Sequence, residues 1–130
     1  MEQAPLVLVV DDEAEFREIF SVNLLKLGYR VETADDGIKG FAKAKEIHPD
    51  LILMDVKMPG QTGIETLLKL KEDPDTKDIK VMFLTNFGEV NTELQKVDEQ
   101  FSLDVGAVGY MHKGDDFSKV ADRVKKYLAD

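Results

Sequence analysis

Apolar residues fall along this chain in two rhythms, short unbroken runs and spaced rows, and the two alternate. The runs are Leu6-Val7-Leu8-Val9-Val10, Leu51-Ile52-Leu53-Met54 and Val81-Met82-Phe83-Leu84. Runs of this length, bounded by polar and turn residues, read as strands buried on both faces in the middle of a parallel sheet. Tyr29 to Ala34 and Ala107 to Met111 read as two further strands. Between them lie rows at helical spacing. Phe16, Phe20, Leu24 and Leu27 predict a helix over 14–27, stopped at Gly28. Ile38, Phe41 and Ala42 predict the inward face of a helix over 38–48, ended by Pro49. Ile64, Leu67 and Leu68 do the same over 62–73, closed by Pro74. Val90, Leu94, Val97 and Phe101 mark a fourth helix. Phe117, Val120, Ala121, Val124 and Leu128 mark a fifth, beginning at Asp115 or Asp116. Strand followed by helix, repeated in this way, predicts an α/β domain with a parallel sheet and right-handed crossovers.

A chain of 130 residues with 43% hydrophobic content suits one domain with an ordinary core. No linker, repeat or low-complexity stretch interrupts it, so 1–130 reads as a single domain with no output domain attached. No apolar run is long enough to span a membrane. The first such run soon meets Asp11 and Asp12, unlike a signal peptide. The absence of cysteine excludes disulfides, thiolate metal sites and cysteine nucleophiles, and suits a cytoplasmic protein. A formal net charge of −9 argues against direct binding to nucleic acid.

The chemistry gathers where the strands end. The central run leads into Asp55, and Pro59-Gly60 then stop the strand. In open α/β sheets that edge is where ligands bind. A carboxylate there can attack phosphoryl groups, as in aspartyl-phosphate chemistry. Asp11 and Asp12 end the first strand and can hold a hard divalent cation such as Mg²⁺, which favours oxygen ligands. The cation would relieve repulsion among three carboxylates and neutralise an incoming phosphoryl group. Thr85 ends the fourth strand with a hydroxyl donor, and Lys113 follows the fifth with a point charge. Each part also has a plainer use. Asp11-Asp12 can cap the first helix, with Glu15 completing a capping box. Thr85 and Lys113 can be ordinary strand and surface residues, and His48 and His112 surface or packing residues.

Taken together, Asp11-Asp12, Asp55-Val56-Lys57-Met58-Pro59-Gly60, Leu84-Thr85, Gly106-Ala107 and Tyr110 to Lys113 resemble the receiver domain of bacterial two-component response regulators. The resemblance covers the whole chain and is closest to stand-alone, chemotaxis-regulator-like receivers. It implies a flavodoxin-like (βα)5 doubly wound sheet of order 2-1-3-4-5. It implies that Asp55 accepts phosphate from the phosphohistidine of a histidine kinase or histidine phosphotransfer protein. Mg²⁺ would sit on Asp12, Asp55 and the Lys57 backbone carbonyl, with Asp11 reaching it through water. Thr85 and Tyr110 would form a switch that turns the face of the fourth and fifth strands and helices toward an unknown output protein. Such a chain catalyses its own phosphorylation and dephosphorylation but is not a stand-alone enzyme.

Three departures from the family pattern stand out. Gly114 follows Lys113 where proline is usual. A cis bond there costs roughly 2.5–4 kcal/mol, against about 0.5–1 kcal/mol before proline, so a shifted Lys113 is expected. Asn86 replaces the usual small residue after Thr85. The stretch from Thr85 to Lys113 is longer than usual by roughly one and a half helical turns, with the extra length expected around Gly88 to Asp104. The first helix also carries a second apolar row, Ile19, Val22 and Leu25. It reads either as part of a broad buried face or as a docking strip for kinase helices. Finally, Lys57 and Phe87, each two positions past a site residue, are expected to flank the path of a hydrolytic water. Neither supplies a general base, so a long-lived phosphorylated state is expected. An Asp-nucleophile phosphatase would need a carboxylate where Lys57 stands, and a covering cap. A phosphate-independent binding module would not need so complete an acidic set. A nucleotide-binding flavodoxin-like protein would need a glycine-rich loop after the first strand.

Overall fold

The computed structural model describes residues 3–85 and 99–129. Strands β1 (Leu6–Val10), β2 (Arg30–Ala34), β3 (Leu51–Asp55), β4 (Lys80–Thr85) and β5 (Gly109–His112) form one sheet. Its order is β2-β1-β3-β4-β5 and every pairing is parallel. Helices α1 (Ala14–Lys26), α2 (Gly37–Ile47), α3 (Gly63–Glu72), α4 (Glu99–Asp104) and α5 (Phe117–Leu128) connect and cover it. The flavodoxin-like order expected from the resemblance is the observed one.

The unbroken runs are explained by period-two alternation within a sheet covered on both sides. Leu8, Val10, Ile52, Met54, Val81 and Phe83 point to one face, where Ala44, Leu67 and Leu70 meet them. Val7, Val9, Leu51, Leu53, Met82 and Leu84 point to the other, against Phe20, Leu24, Val120 and Val124. Both faces of β1 and β3 are therefore dry, and only their ends reach solvent.

Local signals set the helix boundaries. Asp36 accepts from the Lys39 amide at 2.7 Å and caps α2. Thr62 and Glu65 form a reciprocal capping box on α3. Asp116 accepts from the Ser118 amide and starts α5. At the end of α1, the Gly28 and Tyr29 amides close on the Leu25 and Leu24 carbonyls, the six-to-one and five-to-two pair of a Schellman stop.

Several inward faces differ from those the apolar rows predict. Ile38 is 66% exposed and Ala42 is exposed; α2 instead buries Gly37, Gly40 and Ala44. A Cβ on Gly40 would stand 2.9 Å from the Val10 side chain, so glycine is what lets α2 lie this close to β1. On α3, Leu68 is 47% exposed while Thr66 and Leu70 are buried with Leu67. Leu27 lies past the end of α1 and is exposed. The row Ile19, Val22 and Leu25 is exposed too, so α1 does not have a broad buried face. The last strand starts at Gly109 rather than Ala107. Val90, Leu94 and Val97 lie outside the described residues; Phe101 packs on the core from α4.

Candidate functional site

Four strand ends converge on one pocket edge. Asp11 follows β1, Asp55 closes β3, Thr85 closes β4 and Lys113 follows β5. Ladder bonds continue past the strands and fix these backbones: Asp11 N donates to Ala34 O at 3.1 Å, Val56 N to Leu84 O at 3.1 Å, and Lys113 N to Thr85 O at 2.6 Å. The loop after β3 folds back until Gly63 N donates to Val56 O at 2.9 Å. A Cβ on Gly63 would strike the Asp55 carbonyl, so only glycine admits this return.

The side chains meet around the ammonium of Lys113, whose side chain is 4% exposed. Its Nζ lies 2.6 Å from Asp11 Oδ2, 2.7 Å from Glu13 Oε1 and 3.3 Å from Asp55 Oδ2. The Phe16 ring lies beneath it, with the centroid 4.5 Å away, a cation–π contact. The Lys113–Gly114 bond is trans, since no cis peptide occurs among the described residues. Lys113 thus reaches the cluster through a trans bond, with glycine where proline is usual in the family. Burial pulls the lysine down, but hydrogen bonds to Asp11 and Glu13 and the nearby carboxylate charges outweigh it, and the net shift is upward.

Asp11 and Asp55 are buried, and Asp12 is exposed. The Asp11 carboxylate accepts from the Glu13 amide at 2.9 Å, and Arg17 donates to the Asp11 carbonyl at 2.7 Å. The N-cap of α1 is Glu13, with no side-chain cap, so the Asp11-Asp12–Glu15 capping box does not form. Burial raises Asp11, opposed by Lys113. Burial and then the Asp11 charge push Asp55 up to about 8, opposed by Lys113.

Carboxylate oxygens of Asp11, Asp12 and Asp55 lie within 4.8 Å of one another. Asp55 Oδ1 is buried with no hydrogen-bond partner among the described residues. Asp11, Glu13 and Asp55 meet one ammonium, and Asp12 adds a fourth carboxylate to the cluster. An all-oxygen donor set with an orphaned buried carboxylate oxygen and surplus negative charge fits a hard divalent cation.

Thr85 is buried, and its Oγ1 lies 3.1 Å from His112 Nδ1. Tyr110 is half-buried beside the core. Lys57 is exposed. Phe87 and Asn86 lie outside the described residues. Sequence reasoning missed Glu13, Arg17, Phe16 as a floor for Lys113, and His112 as a partner of Thr85. The parallel register Thr85↔His112 would have exposed the last of these.

Residues 7–125 match the response regulator receiver domain. The chain belongs to that family. Receiver domains are signalling modules of two-component systems, and the acidic cluster fits the Mg²⁺ and aspartyl-phosphate chemistry of that family. The chain spans about half the length of the first curated relatives it matches. The DNA-binding dual master transcriptional regulator RpaA of Synechocystis sp. is 36% identical over 124 residues, covering 95% of this chain and 49% of that protein. Sporulation initiation phosphotransferase F of Bacillus subtilis is 34% identical over 122 residues, covering 94% and 92%. Among solved structures, response regulator protein TrrA of Thermotoga maritima, in complex with Mg(2+)-BeF, superposes with a TM-score of 0.78 at 31% identity, covering 95% and 99%. No helix among the described residues is long and apolar enough to cross a membrane.

Proposed function

We propose that this receiver takes a phosphoryl group from the phosphohistidine of a histidine kinase or histidine phosphotransfer protein onto Asp55. The observation that carries this reading is the state of Asp55. It is a buried carboxylate at the carboxyl edge of the central strand, with Oδ1 unpaired among the described residues and an ammonium 3.3 Å from Oδ2. A carboxylate oxygen attacks phosphorus, the P–N bond breaks, and the departing imidazole nitrogen keeps the bonding pair. Asp12, Asp55 and the Lys57 carbonyl would hold Mg²⁺, with Asp11 through water; the cation would screen the carboxylates and the incoming phosphoryl oxygens. Lys113 balances charge on one phosphoryl oxygen and Thr85 donates to another. The chain thereby promotes its own phosphorylation and hydrolysis without turning over an outside substrate.

Thr85 and Tyr110 form the switch in this reading, and β4, α4, β5 and α5 form the face that signals to an output protein. Lys57 is exposed; in this reading it flanks the path of an attacking water and, with Phe87, slows hydrolysis. The relative named as a phosphotransferase and the neighbour bound to Mg(2+)-BeF support the reading. The test is incubation with Mg²⁺ and a small-molecule phosphodonor, followed by intact mass. One phosphoryl group should be added to the wild type and none to Asp55→Asn. Undiminished labelling of the variant would rule out Asp55 as acceptor.

A further inference from the structure

His112 has no part in the chemistry above, yet it touches both switch residues. The β4–β5 register pairs it with Thr85, whose Oγ1 lies 3.1 Å from His112 Nδ1. The same imidazole packs edge-on against Tyr110, with ring centroids 5.6 Å apart and planes at 80°. We infer that His112 is a positioning residue of the switch: it tethers the Thr85 hydroxyl in the resting site and carries Thr85's movement to Tyr110. The inference rests on the phosphoacceptor reading of Asp55.

The tether follows from valence. A threonine hydroxyl has one hydrogen and two lone pairs. Where Nδ1 accepts, that hydrogen is committed to His112 and must be withdrawn before it serves a phosphoryl oxygen. Where Nδ1 donates, the hydroxyl oxygen is held toward β5 and must pull against the bond to approach Asp55. In both tautomers capture of the phosphoryl group exchanges one hydrogen bond for another. The imidazole is a rigid plate, so displacement at its Nδ1 edge moves the surface on which Tyr110 rests. An aliphatic residue at 112 would leave the buried Thr85 hydroxyl without this partner and the tyrosine without this ring.

Beryllofluoride with Mg²⁺, added to the full chain, serves as the phosphoryl mimic. The readouts are its affinity and the ¹⁹F signal of fluorotyrosine at position 110, assigned with Tyr110→Phe. The wild type should bind and shift that signal. His112→Val should bind between about two- and ten-fold tighter, the range that a single neutral hydrogen bond spans, while the Tyr110 signal no longer follows. His112→Asn places an amide where Nδ1 stood. It should return the affinity to the wild-type value while the Tyr110 shift stays lost, because the ring is gone. In a Thr85→Ala background, His112→Val should leave affinity unchanged. Wild-type affinity and a wild-type Tyr110 shift in folded His112→Val would overturn the inference. So would an equal gain without Thr85. If the valine variant does not fold, a preserved Tyr110 shift in His112→Asn overturns it. A wild type that fails to bind, or binding that survives Asp55→Asn, instead overturns the phosphoacceptor reading, and the inference falls with it.

Discussion

Burial and the charge of Asp11 hold the Asp55 carboxyl up to about 8 in the metal-free protein, against an ordinary value of 3.8. The consequence for stability has a definite sign. Below about pH 4 the group is protonated whether folded or unfolded and costs nothing. From there to about pH 8 the unfolded chain gives up this proton while the folded chain keeps it, so stability falls as pH rises. Above about pH 8 the loss is complete. Asp55→Asn carries no such titration. In chelator, its denaturation midpoint should therefore gain on the wild type steadily from pH 4 to pH 8; a constant difference would show that the site does not raise Asp55. The strand-end residues were legible at this scale, because an acid or lysine after an apolar run is conspicuous. Glu13 and His112 were not. Glu13 looks like any exposed acid before a helix, and only its 2.7 Å approach to Lys113 distinguishes it. His112 acquires its partner across a strand pair, a relation that spacing along one strand does not contain.

At the scale of elements, the apolar rows located the helices better than they oriented them. A row counts large side chains, and α2 turns its small ones inward. Gly40 meets Val10 of β1, Ala44 packs into the core and Gly37 abuts Gln61 and Thr66 beside α3, while Ile38 faces water. The small residues let α2 approach β1 closely, at the expense of leaving Ile38 exposed. On α3 the row mixes faces, because the buried stripe runs through Gly63, Thr66, Leu67 and Leu70 and leaves Leu68, one position further round, in water. Two substitutions separate the readings. Ile38→Ala should change stability by no more than about 0.5 kcal/mol, whereas Leu67→Ala should cost about 2–5 kcal/mol. Gly40→Ala tests the packing directly. Alanine gains about 1 kcal/mol in helix propensity, but its methyl would meet Val10 at 2.9 Å, and such overpacking costs about 1–3 kcal/mol. Chemical denaturation should show a net loss; a stabilised Gly40→Ala would mean that the gap between α2 and β1 is looser than described. Asp36, Thr62 and Asp116 each cap a helix through a local bond to an amide two or three residues on, a signal that the apolar rows do not contain.

For the whole molecule, a parallel sheet with right-handed crossovers was readable from the alternation of strand and helix, whereas the order 2-1-3-4-5 came from the family resemblance. What the alternation leaves open is which outer surfaces stay uncovered. The structure leaves Ile19, Val22 and Leu25 exposed along α1, on the helix whose entry loop holds Asp11, Asp12 and Glu13. On a domain of net charge −9, an apolar row beside an acidic site suits a partner that brings apolar helix surface together with the phosphohistidine. In that reading the phosphoryl chemistry and the docking use different surfaces and can be tested separately. Val22→Glu puts a charge on the row without touching the core. Its denaturation midpoint should stay within about 0.5 kcal/mol of wild type, and its labelling by a small-molecule phosphodonor should be unchanged, because that reaction needs only the strand-end cluster. Transfer from a phosphorylated histidine phosphotransfer protein that labels the wild type should slow by about ten-fold or more, as burying one unpaired charge in a docked interface costs at least about 1.4 kcal/mol. Equal slowing with both donors would place the effect in the site rather than on α1. Unchanged transfer from the protein donor would show that the kinase side docks elsewhere.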